Sequence, residues 1–152
     1  MTTNSRIDYY KVSPEAVKSL MSLEGYVNNC GLDKSLRELI KLRVSQINGC
    51  TFCVDLHCSD ALKAGESQRR INAIVVWREA PFFTERERAA LAWAEAVTLL
   101  SETHAPDDLY QDLLKYFSEK EAVDLTMVII TINSWNRLAV SFRKLPSRGS
   151  SG

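Results

Sequence analysis

The chain reads as an all-α protein, and three observations carry that reading. Apolar residues recur every three or four positions in each long segment, as in Leu36, Leu39, Ile40, Val44 and Ile47. Helix-opening signals precede these segments: Ser13-Pro14-Glu15, Thr84-Glu85-Arg86-Glu87 and Ser118-Glu119-Lys120-Glu121. The last two are capping boxes, in which a hydroxyl and a glutamate satisfy orphan N–H groups reciprocally. No stretch alternates apolar and polar residues as a half-buried strand does.

Taken in order, residues 1–12 read as an irregular or partly extended lead-in. Ser13 caps a first helix with Pro14 at its first position and Glu15 in its first turn. Val17, Leu20, Met21 and Tyr26 supply its apolar face, and Gly31 ends it. A second helix runs from Asp33 to Ile47, stopped by Asn48-Gly49, residues that tolerate the left-handed conformation of a C-cap. A third starts near Cys50 and ends at Gly65. Ser67 opens a fourth, with Ile71, Ile74, Val75 and Trp77, closed by Pro81. The two capping boxes open a fifth helix and a long seventh reaching about Phe142, and Pro106-Asp107-Asp108 opens the sixth. The run Val128-Ile129-Ile130-Thr131-Ile132 is β-branched, but the capping box ahead of it favours helix.

A chain of 152 residues is long enough for one domain with a real core. Residues 1–145 form that domain, and the Ser/Gly/Arg-rich stretch 146–152 reads as a disordered tail. Nineteen basic and nineteen acidic residues cancel, which argues against nucleic acid or an anionic membrane surface as partner. Met1 to Lys11 is polar with no apolar signal core, and no apolar run is long enough to span a bilayer. The expected location is the cytoplasm.

Of four cysteines, Cys50, Cys53 and Cys58 lie within nine residues and Cys30 stands apart. A secreted disulfide scaffold would spread its cysteines; this clustering points to redox or metal chemistry. Gly49 leaves Cys50 at a helix N-terminus, where the helix dipole favours a thiolate. At about 100° per residue, Cys50, Cys53 and His57 share one helix face. His57 is one turn from Cys53 and is placed to take its proton. Glu38 can return level with Cys53 or His57 if the second and third helices form an antiparallel hairpin. Cys30, Cys58 and His104 read as packing or structural residues. Zinc on Cys50, Cys53, His57 and Cys58 is the competing reading. Four ligands within nine helical residues do not easily close a tetrahedron, because structural zinc draws its ligand pairs from separate segments.

The pattern Glu38, Cys50, Cys53 and His57, set in Ile47-Asn48-Gly49-Cys50-Thr51-Phe52-Cys53-Val54-Asp55-Leu56-His57, resembles the AhpD-like alkylhydroperoxidase branch of the carboxymuconolactone decarboxylase superfamily. Ala61 to Gly65 and Phe83 to Ala96 are similar to that group as well, so the resemblance covers about residues 15–142. It implies an all-α bundle, here of about seven helices, with the CxxC at the N-terminus of one of them. It implies a thiol-dependent peroxidase that needs no cofactor or metal beyond its redox-active cysteine pair. Cys53 would be attacked by hydroperoxide, Cys50 would resolve, His57 would act as base and Glu38 would complete the proton relay. An external dithiol, such as that of a lipoylated protein, would reduce the Cys50–Cys53 disulfide again. Homo-oligomers, often trimers or hexamers, are expected. The aromatic load of Trp77, Trp93, Phe82, Phe83, Trp135 and Phe142, more than a small domain readily buries, points the same way. The best-known members place a histidine where Phe52 stands here, so the implied relay is thinner. The alternative to turnover is a zinc-binding or redox-sensing oligomer.

Overall fold

The computed structural model describes residues 5–149, and every regular element among them is helical. They are α1 Tyr9–Val12, α2 Pro14–Asn28, α3 Lys34–Ile47, α4 Thr51–Lys63, α5 Gln68–Ala73, a 3-10 turn Ile74–Val76, α6 Glu85–Thr98, α7 Leu100–Thr103, α8 Asp107–Leu114 and α9 Glu119–Ser141.

Three expectations need correction. The lead-in is not irregular throughout: Asp8 caps the one-turn helix α1, its side chain accepting from the Tyr10 N–H. The fourth helix does not run unbroken to Pro81. It tightens to a 3-10 turn at Ile74, where Ile74 and Trp77 are buried while Val75 and Val76 are exposed. Eclipsed i and i+3 side chains suit such a short turn. In α2, Met21 and Tyr26 are exposed rather than core, and Val17 and Val27 are the buried positions. Residues 146–149 have no regular structure, and the remainder of the expected tail, 150–152, lies outside the described residues, as do residues 1–4.

Both expected capping boxes are closed in both directions, at Thr84–Glu87 and Ser118–Glu121. The β-branched run in α9 is helical, with Val128, Ile129 and Ile132 buried and Ile130 exposed. Packing on one face outweighs the modest helix penalty of β-branched residues, since each buried side chain contributes about 1.5–3 kcal/mol.

The bundle is built on α3, which packs against α4, α6 and α9. Leu36, Leu39, Ile40, Leu42 and Val44 of α3 join Leu91, Leu125, Val128 and Ile129 in the main core. Three charged residues of α3, Arg37, Glu38 and Lys41, are also buried. The six aromatic side chains singled out above are buried to different degrees. Trp77 and Phe83 are in the core, Phe82, Trp93 and Trp135 pack against it, and Phe142 lies against Tyr9. No described helix is long and apolar enough to cross a membrane.

Candidate active site

The site is placed by the three-residue turn Asn48-Gly49-Cys50 between α3 and α4. Gly49 takes φ 66°, a left-handed conformation that suits a residue without Cβ. Its N–H bonds to the Gln46 carbonyl (3.1 Å), and the Cys50 N–H bonds to the Ser45 carbonyl (3.0 Å). These two bonds make a Schellman motif ending α3. Cys50 therefore ends one helix and caps the next: its sulfur lies 3.3 Å from the Cys53 N–H, at the N-cap of α4. The turn is pinned to α9, because Asn48 Nδ2 donates to the side-chain oxygens of Asn133 and Asn136, both at 2.9 Å.

Cys50 and Cys53 are joined as a disulfide across a Cα separation of 5.3 Å. Both are almost fully buried and pack with Ala139 and Phe52 in a small cluster separate from the main core. Antiparallel packing of α3 and α4 brings Glu38 to His57, with Nδ1 to Oε2 at 2.9 Å and both side chains buried. Burial by itself raises the Glu38 pKa. The hydrogen bond from His57 and the positive charges of His57, Lys41 and Arg37 outweigh it and hold the carboxyl below its usual range. An ionised carboxylate only accepts, so Nδ1 carries the proton of this bond, and in the neutral form of the ring Nε2 is the nitrogen left to act as base. No buried side-chain polar atom lacks a partner among the described residues, and none bonds Nε2, so that nitrogen is open to the adjoining cavity.

That cavity has a volume of about 570 Å³. Cys53, His57 and Glu38 line it together with Tyr9, Phe52 and Trp135. Sequence reasoning missed a second polar layer behind Glu38. Lys41, 2% exposed, bonds to Glu24 at 2.7 Å and lies 4.0 Å from Glu38. Trp135 Nε1 donates to the other Glu24 oxygen at 3.0 Å. Lys41 follows Glu38 by three and so shares its helix face, a signal present in the sequence; Glu24 and Trp135 come from distant helices and left none.

The remaining candidates separate cleanly. Cys58 is half-buried against the main core, and burial, then the nearby Asp55 charge, pushes its thiol up. Cys30 packs on the same core, with its sulfur 3.2 Å from the Val27 carbonyl. His104 ends α7 in a left-handed conformation. The zinc set Cys50, Cys53, His57 and Cys58 is not a converging group here: the sulfurs of Cys50 and Cys53 are bonded to each other, and Cys58 packs against the main core. Among the described residues, the group whose ligand atoms do converge is Glu38, His57 and Asp60, within 4.8 Å of one another.

Comparison with known proteins identifies the family. Residues 14–96 match the model of the carboxymuconolactone decarboxylase family. The chain is 42% identical over 138 residues to the uncharacterized protein YdfG of Bacillus subtilis (strain 168), covering 91% of this chain and 94% of that one. A 49-residue stretch is 43% identical to the alkyl hydroperoxide reductase AhpD of Coxiella burnetii, 32% of this chain and 28% of the relative. The crystal structure of ATU0492 from Agrobacterium tumefaciens superposes with a TM-score of 0.93 at 50% identity, covering 95% of this chain and all of the other. That protein is of unknown function and has been suggested to be an antioxidant defence protein AhpD. With this match, the all-helical bundle and the CxxC pair at a helix start, the chain belongs to the carboxymuconolactone decarboxylase family, in its AhpD-like branch.

Proposed function

We propose that the protein is a thiol-dependent peroxidase that reduces hydroperoxides through a Cys50/Cys53 dithiol–disulfide cycle. The observation that carries this reading is the buried Glu38–His57 pair opening onto the same cavity as Cys53. In the reduced protein, His57 Nε2 takes the Cys53 proton, and Glu38 stabilises the imidazolium that results. The Cys53 thiolate attacks the terminal oxygen of the hydroperoxide. An S–O bond forms, the O–O bond breaks, and the alkoxide takes the proton from His57 to leave as an alcohol. Cys50 then attacks the Cys53 sulfenic acid, releasing water and closing the disulfide. An external dithiol is oxidised to regenerate the pair, its direction set by relative potential.

Dipole and base pull toward different cysteines. The helix dipole favours Cys50 by about 0.3–1 kcal/mol. A positioned base typically contributes 10²–10⁴-fold, roughly 3–5 kcal/mol, and here it serves Cys53. The base therefore decides, making Cys53 peroxidatic and Cys50 resolving. A dithiol carrier such as a lipoylated protein, a trimeric or hexameric assembly and a cytoplasmic setting complete the proposal.

The test is hydroperoxide consumption with dithiothreitol or a reduced lipoyl protein, on metal-analysed protein. Catalytic turnover is expected. Cys50→Ser should consume about one peroxide per chain and stop at a trappable sulfenic acid, and Cys53→Ser should do neither. Disulfide formation without turnover would mean a redox sensor, and sulfenic acid formed at Cys50 at the parent rate in Cys53→Ser would reverse the roles.

A further inference from the structure

The two cysteines of the disulfide line different cavities. Cys53 lines the large cavity with Glu38 and His57, and Cys50 does not. Cys50 lines a second cavity of about 500 Å³, together with Gly49, Thr51, Arg6, Arg143 and Lys144. Ala139 is the single residue common to both linings. The second lining holds three cations and no carboxylate. Among the described residues none of the three is in an ion pair. Arg6 is held by its Nη1 on the Ser141 carbonyl at 2.9 Å. The Lys144 ammonium lies over the rings of Tyr10 and Phe52, at 4.3 and 4.7 Å, a cation–π arrangement that positions it without neutralising it. The N-terminus of α4, a thirteen-residue helix, adds its positive dipole end at Gly49–Thr51.

We propose that this second cavity is the docking site of an anionic dithiol reductant, which exchanges with Cys50. The proposal rests on the dithiol–disulfide cycle above and names the route by which that cycle is reset. One thiolate of the reductant attacks Cys50 Sγ, a reductant–Cys50 bond forms, and the Cys50–Cys53 bond breaks. Cys53 leaves as a thiolate one helical turn from His57, whose imidazolium stabilises it, and a better-stabilised thiolate leaves faster. The second thiol of the reductant then attacks its own sulfur in the mixed disulfide and releases Cys50. The reductant ends as a disulfide, and its two electrons and two protons end on Cys50 and Cys53. Attack from the large cavity would instead release Cys50, away from the imidazole. Separate cavities also let oxidant and reductant approach one buried disulfide from different sides.

The test compares dihydrolipoate with dihydrolipoamide, which share a dithiol and differ in carrying a carboxylate or an amide. Reduction of the oxidised protein is followed by tryptophan fluorescence in the absence of peroxide. Dihydrolipoate should react about tenfold faster at low ionic strength, and the ratio should approach one near ~1 M salt. The double variant Arg143→Gln, Lys144→Gln should lower the ratio toward one. Lys34→Gln, which removes a cation of the large cavity, should leave the ratio high. Rapid quenching should trap the reductant on Cys50. A ratio of one in the parent at low salt, a ratio abolished by Lys34→Gln alone, or a mixed disulfide on Cys53 would each overturn the proposal. A reduced lipoyl group on an acidic carrier protein that outpaces free dihydrolipoate identifies the source as protein-borne; the reverse order identifies a small acid. Because no peroxide enters this measurement, failure of the peroxidase reading would appear in the turnover assay and leave the ratio readable.

Discussion

Two glutamates of this chain share a physical predicament and resolve it differently. Glu38 and Glu95 are both largely withdrawn from water, and burial pushes both carboxyls up. Partners more than reverse that push in each case, so both sit below the usual range. At Glu95 the partners are fixed: Trp77 Nε1 at 2.8 Å and Arg43 Nε at 2.9 Å on one oxygen, and Arg78 Nη1 at 2.6 Å on the other. Those donors together clamp α3 and the segment after α5 onto α6. At Glu38 the principal partner is the imidazole of His57, a ring that can both donate and accept a proton, and the pair lines a cavity shared with Cys53. A buried carboxylate with saturated, permanent donors holds structure. One paired with a titratable ring beside a reactive sulfur can move a proton.

The largest expected effect falls on rate. Glu38→Gln and His57→Phe should each slow oxidation of the reduced protein by hydroperoxide, up to about 10²–10⁴-fold for His57→Phe, in single-turnover stopped flow. Glu95→Gln should leave that rate within about twofold of the parent. A Glu95 variant as slow as Glu38→Gln would erase the distinction.

The next effect is on stability and runs the other way. Glu95→Ala strands the Arg43 and Trp77 donors, and should lower unfolding free energy by about 2–3 kcal/mol in urea denaturation. Glu38→Gln keeps a hydrogen-bonding side chain in place and should cost less. Equal losses would mean that the Glu38–His57 pair is as much a clamp as the Glu95 cluster.

Acid sharpens the comparison further. A carboxyl whose folded-state pKa is depressed contributes stability that is fully present above its unfolded value, about 4.3 for glutamate. That contribution is lost as pH falls through the folded value. The thermal midpoint should hold from neutrality to about pH 4.3 and then drop. Glu95→Gln and Glu38→Gln should each start lower and flatten that acid limb. An acid limb unchanged in both variants would show that other carboxylates govern it.

The smallest effect tests the support of the site. Asn48→Ala removes two side-chain bonds from the α3–α4 turn to α9, and should cost about 1–2 kcal/mol. It should slow disulfide closure more than the initial peroxide attack, since it loosens the turn that places Cys50. Equal slowing of both steps would assign Asn48 a general packing role.

The chain's own order determined whatever rests on local chemistry. Helical periods, both capping boxes, Gly49 and the CxxC at a helix start follow from neighbours within a turn or two, where backbone geometry leaves few choices. The placing of Cys53 and His57 beside one cavity was legible for the same reason, whereas Cys50, an extended N-cap, lines the other. Glu38 was legible as well, because so short a turn between two helices favours an antiparallel hairpin. Val75 misled as a member of a continuous apolar helix, because propensity alone does not reveal where a 3-10 turn will tighten the chain. What only the tertiary structure decided is which charges meet in the interior. Lys41 lies between Glu24 and Glu38, Trp135 holds Glu24 from 111 positions away, and Cys50 and Cys53 open onto different cavities. Such pairings bring together side chains from α2, α3, α4 and α9. They depend on how those helices rotate about their axes to bury a common apolar face, and no window of sequence records that rotation.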